Sequence, residues 1–127
     1  MSLSILMRVS AAYMGLWVLM MTLVPEMVIN DLFGVPVTQA LGAQMQFTSV
    51  ATAAIASMQW MVSSWAPEGL AKFARLSAII WALFALLSLS LISSGVMLDT
   101  VQNYTSPAIM AILALLLLMK ASANSKV

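Results

Sequence analysis

The sequence predicts an all-α integral membrane protein: a bundle of four transmembrane helices, with a short interfacial helix after the first. Three observations predict it. Of the 127 residues, 63% are hydrophobic and only 7% are charged, whereas a soluble domain carries about 25% charged residues. The apolar residues gather into four runs, each close to the roughly 20 residues that cross a bilayer. The charges then sort by side. Arg8, Lys72, Arg75, Lys120 and Lys126 fall at one end of the runs, while the two opposite connections carry only acids, Glu26 and Asp31 in the first and Asp99 in the third. Basic residues in short loops stay cytoplasmic, so both termini are expected inside. Four spans and their turns use the whole chain, which is expected to form one domain, 1–127.

Span one is predicted over about Ser4 to Val24, with Arg8 snorkelling to the cytoplasmic interface. Arg8 and the apolar run after it imitate a secretory signal, but Leu23-Val24-Pro25-Glu26 lacks the small residues of a cleavage site, so the span is expected to be retained. Pro25 suits the first turn of a new helix, and Glu26 suits its positive end. Gly34 supplies a left-handed stop and Pro36 follows. The segment Pro25 to Phe33 is therefore a short helix, laid on the outer surface by Met27, Val28, Leu32 and Phe33.

Span two is predicted over about Gln39 to Ser64, capped by Thr38, with Trp60 and Trp65 marking an interface. The turn Ala66-Pro67-Glu68-Gly69 leads into span three, about Leu70 to Ser94, ended by Gly95. Ser106-Pro107 reads as a cap followed by proline at the first helical position, so span four is expected over about 106–120, with a frayed tail after it.

Span two carries the candidate site. At 100° per residue, Gln44, Thr48, Thr52 and Gln59 share one stripe, and Ser49, Ala53 and Ser57 lie on the opposite side. A narrow strip around Phe47, Val50, Ala54 and Met61 is left for lipid. Polar side chains in a bilayer need partners, and small residues let backbones approach, so span two is expected to be surrounded by protein. Span three offers a line of Ala74, Ala78 and Ala85. The Gln/Thr stripe is either glue between helices or the lining of a pocket for a lipid or quinone headgroup. The Ser49–Ala53–Ser57 and Ala74–Ala78–Ala85 lines are candidates for helix packing or for contact with a partner protein.

Catalysis finds little support. The chain has no His and no Cys, and no pair of acids shares a depth in the bilayer, so acid–base and nucleophilic machinery is lacking. No metal site is expected: the 12 methionines could hold copper(I) only by thioethers alone, and methionine is a common gap-filler. No cofactor and no nucleic-acid partner are expected, because the cations sit at helix ends and form no cluster. A proton-coupled four-helix drug transporter needs an acid inside the membrane, and no span here contains one.

The layout of span one ending in Pro25-Glu26, then Phe33-Gly34-Val35-Pro36, then a small-residue span two resembles small bacterial four-helix membrane proteins related to the DoxX group. The resemblance implies a bacterial inner-membrane location. It also implies a link to quinone-dependent sulfur oxidation, although no catalytic residue of that group maps onto a numbered position here. The expected function is that of a non-catalytic accessory or assembly subunit of a larger membrane complex, partnered by lipid and other integral membrane proteins. The alternative is a standalone binder of a lipid, quinone or other hydrophobic molecule between its helices.

Overall fold

The computed structural model describes residues 2–124. Lys126, placed on the basic side by the sequence, lies outside them. The described residues form α1 (Leu3–Leu23), α2 (Pro25–Phe33), α3 (Gln39–Trp65), a 3-10 turn over Pro67–Gly69, α4 (Leu70–Ser93) and α5 (Val101–Asn124).

Local chemistry sets most boundaries. The Ser2 side chain accepts from the Ile5 amide, and Thr38 accepts from the Leu41 amide. Each satisfies one of the orphan donors at a helix start. Pro25 occupies the first turn of α2, and Gly34 ends that helix with φ +63°. Gly95 closes α4 with φ +74°. Both are left-handed positions that penalise any Cβ, but they differ in space. A Cβ on Gly34 would lie 2.9 Å from Cδ2 of Leu98, whereas one on Gly95 would meet nothing within 4 Å. Gly95→Ala should therefore cost about 1–2 kcal/mol and Gly34→Ala visibly more. Unfolding titrations of the two variants in mixed micelles check the order.

One boundary departs from expectation. Helix α5 begins at Val101, so Pro107 lies inside it and is not the first helical residue. The tail expected to fray is helical to Asn124. Proline has no N–H to return to the carbonyl four residues earlier, which frees the carbonyl of Asn103.

The helices pack as two pairs, α1 along α3 and α4 along α5, with sparser contact between the pairs. The first pair runs antiparallel. Ser4 Oγ donates to the Ser63 carbonyl, Ser10 Oγ to Gln59 Oε1 and Thr22 Oγ1 to Ser49 Oγ, so one helix is climbed as the other is descended. The core gathers Leu3, Leu6 and Met7 with Ala74, Ala78, Leu117 and Ala121. The start of α1, the start of α4 and the finish of α5 therefore share one end of the bundle. That basic end carries Arg8, Lys72, Arg75 and Lys120, with Glu68 in its turn; Glu26, Asp31 and Asp99 are carried at the opposite, acidic end.

Three helices, α1, α4 and most of α5, are long and apolar enough to cross a membrane, and the chain is a helical membrane protein on that basis. Helix α3 is the longest, at 27 residues, but falls outside that group. Gln39, Gln44, Gln46 and Gln59, with the Thr and Ser residues between them, lower its hydropathy. Nor do the other described helices of this chain surround it. Phe47, Val50, Ala54 and Met61 are exposed, as the lipid strip requires, but so are the polar Gln44, Gln46, Thr48 and Ser57.

Candidate functional site

The two helix pairs are joined by a buried polar node. Ser10 is 0% exposed, Trp81 1% and Gln59 5%. The indole N–H of Trp81 donates to Ser10 Oγ, which donates in turn to Gln59 Oε1. Trp81 also packs against Tyr13 and Phe84, with ring centroids 5.7 and 6.5 Å away. A single α4 side chain is thus tied to α1 of the other pair, and through Ser10 to Gln59 of α3. The node leaves one group unserved: Gln59 Nε2 is buried with no hydrogen-bond partner.

From this node toward the acidic end the pairs diverge around a cavity of about 190 Å³. Its walls are apolar and largely aromatic or thioether: Met14, Trp17 and Met21 from α1, Trp81 and Phe84 from α4, Met97 from the loop and Met110 from α5. Polar residues enter at a few points, Thr48 and Thr52 from α3, Ser88 from α4, and Asn103 and Ser106 from α5. Most of their donors are committed. Thr48 Oγ1 donates to the Gln44 carbonyl, Thr52 Oγ1 to the Thr48 carbonyl and Ser88 Oγ to the Phe84 carbonyl. Ser106 and Tyr13 share one hydrogen bond of 2.9 Å across α5 and α1.

Asn103 is the distinctive residue of this wall. It is 1% exposed. Its Nδ2 donates to the carbonyls of Leu98 at 2.9 Å, Leu32 at 3.2 Å and Asp31 at 3.4 Å. The Leu98 amide donates to the Leu32 carbonyl as well, at 2.8 Å. Loop and side chain together thus satisfy the last carbonyls of α2, which would otherwise be orphans. The other branch, Oδ1, is buried with no partner. Asn103 thus lines the wall with one buried acceptor that lacks a donor. A buried polar atom left unpaired costs about 1–3 kcal/mol.

The residues singled out from sequence are divided by this geometry. Thr48 and Thr52 line the cavity, Gln59 lines a different groove nearer the basic end, and Gln44 stands exposed with no part in either. Ser49 is buried against α1 through Thr22, Ala53 is half-buried and Ser57 is exposed. Ala74 and Ala78 are 0% exposed and Ala85 is 5%. These three lie inside the chain itself, so the α4 line is closed to any second protein; close approach of helices within the bundle is its use. Sequence reasoning passed over Asn103 and Trp81. The signal for Asn103 was present, a buried-type amide four residues before a proline.

The split stripe has an energetic consequence. Gln44→Leu should change stability by less than about 0.5 kcal/mol, since its side chain makes no contact that the bundle needs. Gln59→Leu should cost about 1–2 kcal/mol, near the upper end for a hydrogen bond between membrane helices. Detergent-unfolding titrations of both variants check the contrast.

None of the cavity's lining residues is charged. The arrangement can hold an apolar body by dispersion and shape. No protein-family model, curated protein or solved structure matches this chain.

Proposed function

We propose that this protein is a non-catalytic, four-pass protein of the bacterial inner membrane that binds a small hydrophobic molecule of the lipid or quinone class between its two helix pairs. The observation that carries the proposal is the cavity beside Trp81, apolar on nearly every side and lined at one point by Asn103, whose buried Oδ1 has no partner. Ligand sites are largely apolar concavities with few convergent polar groups. Four passes rest on α3, whose 27 residues span about 40 Å, more than the roughly 30 Å of hydrocarbon. Cytoplasmic termini rest on the basic end of the bundle. Purification in mild detergent, solvent extraction and mass spectrometry should recover one dominant small molecule at near-unit stoichiometry. Recovery of bulk membrane lipid alone would defeat the proposal.

A second role has its own support. The exposed Gln46 and Ser57, which share one face of α3, sit poorly against lipid, and another integral membrane protein covering them would make this chain an accessory subunit. A larger complex should then co-purify, and Ser57→Leu should weaken it while leaving the cavity ligand in place.

The topology is testable directly. Single cysteines at Asp31 and Asp99 should react with an impermeant thiol reagent added to intact cells, whereas one at the exposed Glu68 should react only after lysis. Labelling of all three in intact cells would remove the assigned orientation.

A further inference from the structure

Gln59, whose buried Nε2 has no partner, lies away from the cavity described above and lines a groove of about 200 Å³ between α3 and α4 nearer the basic end. The groove is walled by Met7, Ile55, Met58, Phe73, Leu76 and Ile80. Met58, Leu76 and Phe73 are 64%, 55% and 40% exposed, so its mouth opens sideways toward the bilayer. Ser77 lines the same groove from α4 and is 5% exposed, and its hydroxyl makes no hydrogen bond among the described residues. Two uncommitted donors, one from each helix pair, thus belong to one apolar groove with no charged residue in its lining.

We infer that this groove is a site for an ester-linked membrane lipid, whose acyl chain fills the apolar walls and whose ester carbonyl accepts from Gln59 Nε2 and the Ser77 hydroxyl. Three considerations select this occupant. A carbonyl oxygen has two lone pairs and no hydrogen, which matches two donors. A water there would carry hydrogens of its own into walls of Met, Ile, Phe and Leu, and buried waters need several polar partners. The depth also fits. Helix α3 is about 40 Å long in a hydrocarbon layer of about 30 Å, so each end overhangs by about 5 Å. Gln59 lies six residues before Trp65, about 9 Å from the helix end. That is about 4 Å below the hydrocarbon edge, beside the layer where glycerol esters lie. The neighbouring Trp60, with Arg8 above its ring at 5.8 Å, marks the same level.

The test uses the intact protein in nanodiscs made from equal parts of a diacyl phosphatidylcholine and its diether analogue, which differ in the ester carbonyls. Native mass spectrometry reads the lipid that stays bound after the disc is stripped away. The diacyl lipid should be retained roughly threefold to tenfold over the diether, as one or two net hydrogen bonds imply. Leu76→Trp blocks the groove mouth without touching Gln59 or Ser10, and should abolish the retained lipid while the small molecule of the larger cavity still extracts. Gln59→Leu should keep a bound lipid but weaken the ester preference, and Gln59→Leu combined with Ser77→Ala should erase it. Equal retention of the two lipids by the wild type would overturn the inference, as would lipid retention unchanged by Leu76→Trp, or an ordered water on Gln59 in a high-resolution experimental map.

Discussion

Trp81→Ala is expected to be the most damaging single substitution in this chain, lowering the free energy of unfolding by about 3–5 kcal/mol. Trp81 is the largest fully buried side chain and stands where the two helix pairs meet. In a membrane no hydrophobic effect pulls helices together, so packing and hydrogen bonds must do it. This residue supplies both. Its ring contacts Tyr13 on α1 and Phe84 on its own helix, and its N–H is committed to Ser10. Truncation would remove those contacts and merge the vacated volume with the neighbouring cavity, which the surrounding helices cannot close by small shifts. Trp81→Phe separates the two contributions. It keeps most of the packing and removes the donor, and should cost about 1–2 kcal/mol. Titration with a denaturing detergent, followed by far-UV circular dichroism, gives both values. Equal losses for the two variants would mean that the hydrogen bond, not the ring, joins the pairs.

The contrast between Trp81 and the helix boundaries shows what could be read from the sequence. Pro25, Gly34, Thr38 and Gly95 act on backbone groups within a few residues, so their effects are written locally, and α2 and α3 begin where those residues indicate. The lipid strip of Phe47, Val50, Ala54 and Met61 was legible for a similar reason: helical periodicity fixes which residues share a face. Periodicity does not name the element opposite that face. The alanines of α4 announce a close approach, but an alanine line looks the same whether it meets α5 or a foreign helix, and here it is buried at home. The Gln/Thr stripe is one line in angle yet meets three surroundings along its length: Gln44 is exposed, Thr48 and Thr52 line the cavity, and Gln59 is bonded to α1. Asn103 was least legible. Its partners, Asp31 and Leu32, lie 72 and 71 residues away in sequence, and Ser106-Pro107 is a convincing helix start in isolation. The preceding turn is helical because Asn103 is held from the other side by the end of α2.

Asn103 joins fold and proposed function, so its removal should have the second-largest effect. Asn103→Leu would strip the carbonyls of Asp31, Leu32 and Leu98 of their side-chain donor and alter the cavity wall that Asn103 lines. Leu32 keeps the Leu98 amide, so only part of the satisfaction is lost, and a cost of about 2–4 kcal/mol is expected, since one or two buried carbonyls are left unpaired. The bound small molecule should be lost from the purified protein too. That pair of results alone would not separate a site from a structural post, because a loosened α2 also opens the cavity. Ser88→Phe makes the separation. Ser88 lines the cavity, and its hydroxyl is committed only to the Phe84 carbonyl within its own turn, a bond that contributes little to a helix. A phenyl ring there would occupy volume now empty while leaving Asn103, Trp81 and the α2 cap intact. Stability should change by about 1 kcal/mol or less if the ring fits the void, while the extracted molecule falls to a small fraction of wild-type stoichiometry. Should Ser88→Phe retain its small molecule in full, the cavity is not where that molecule sits.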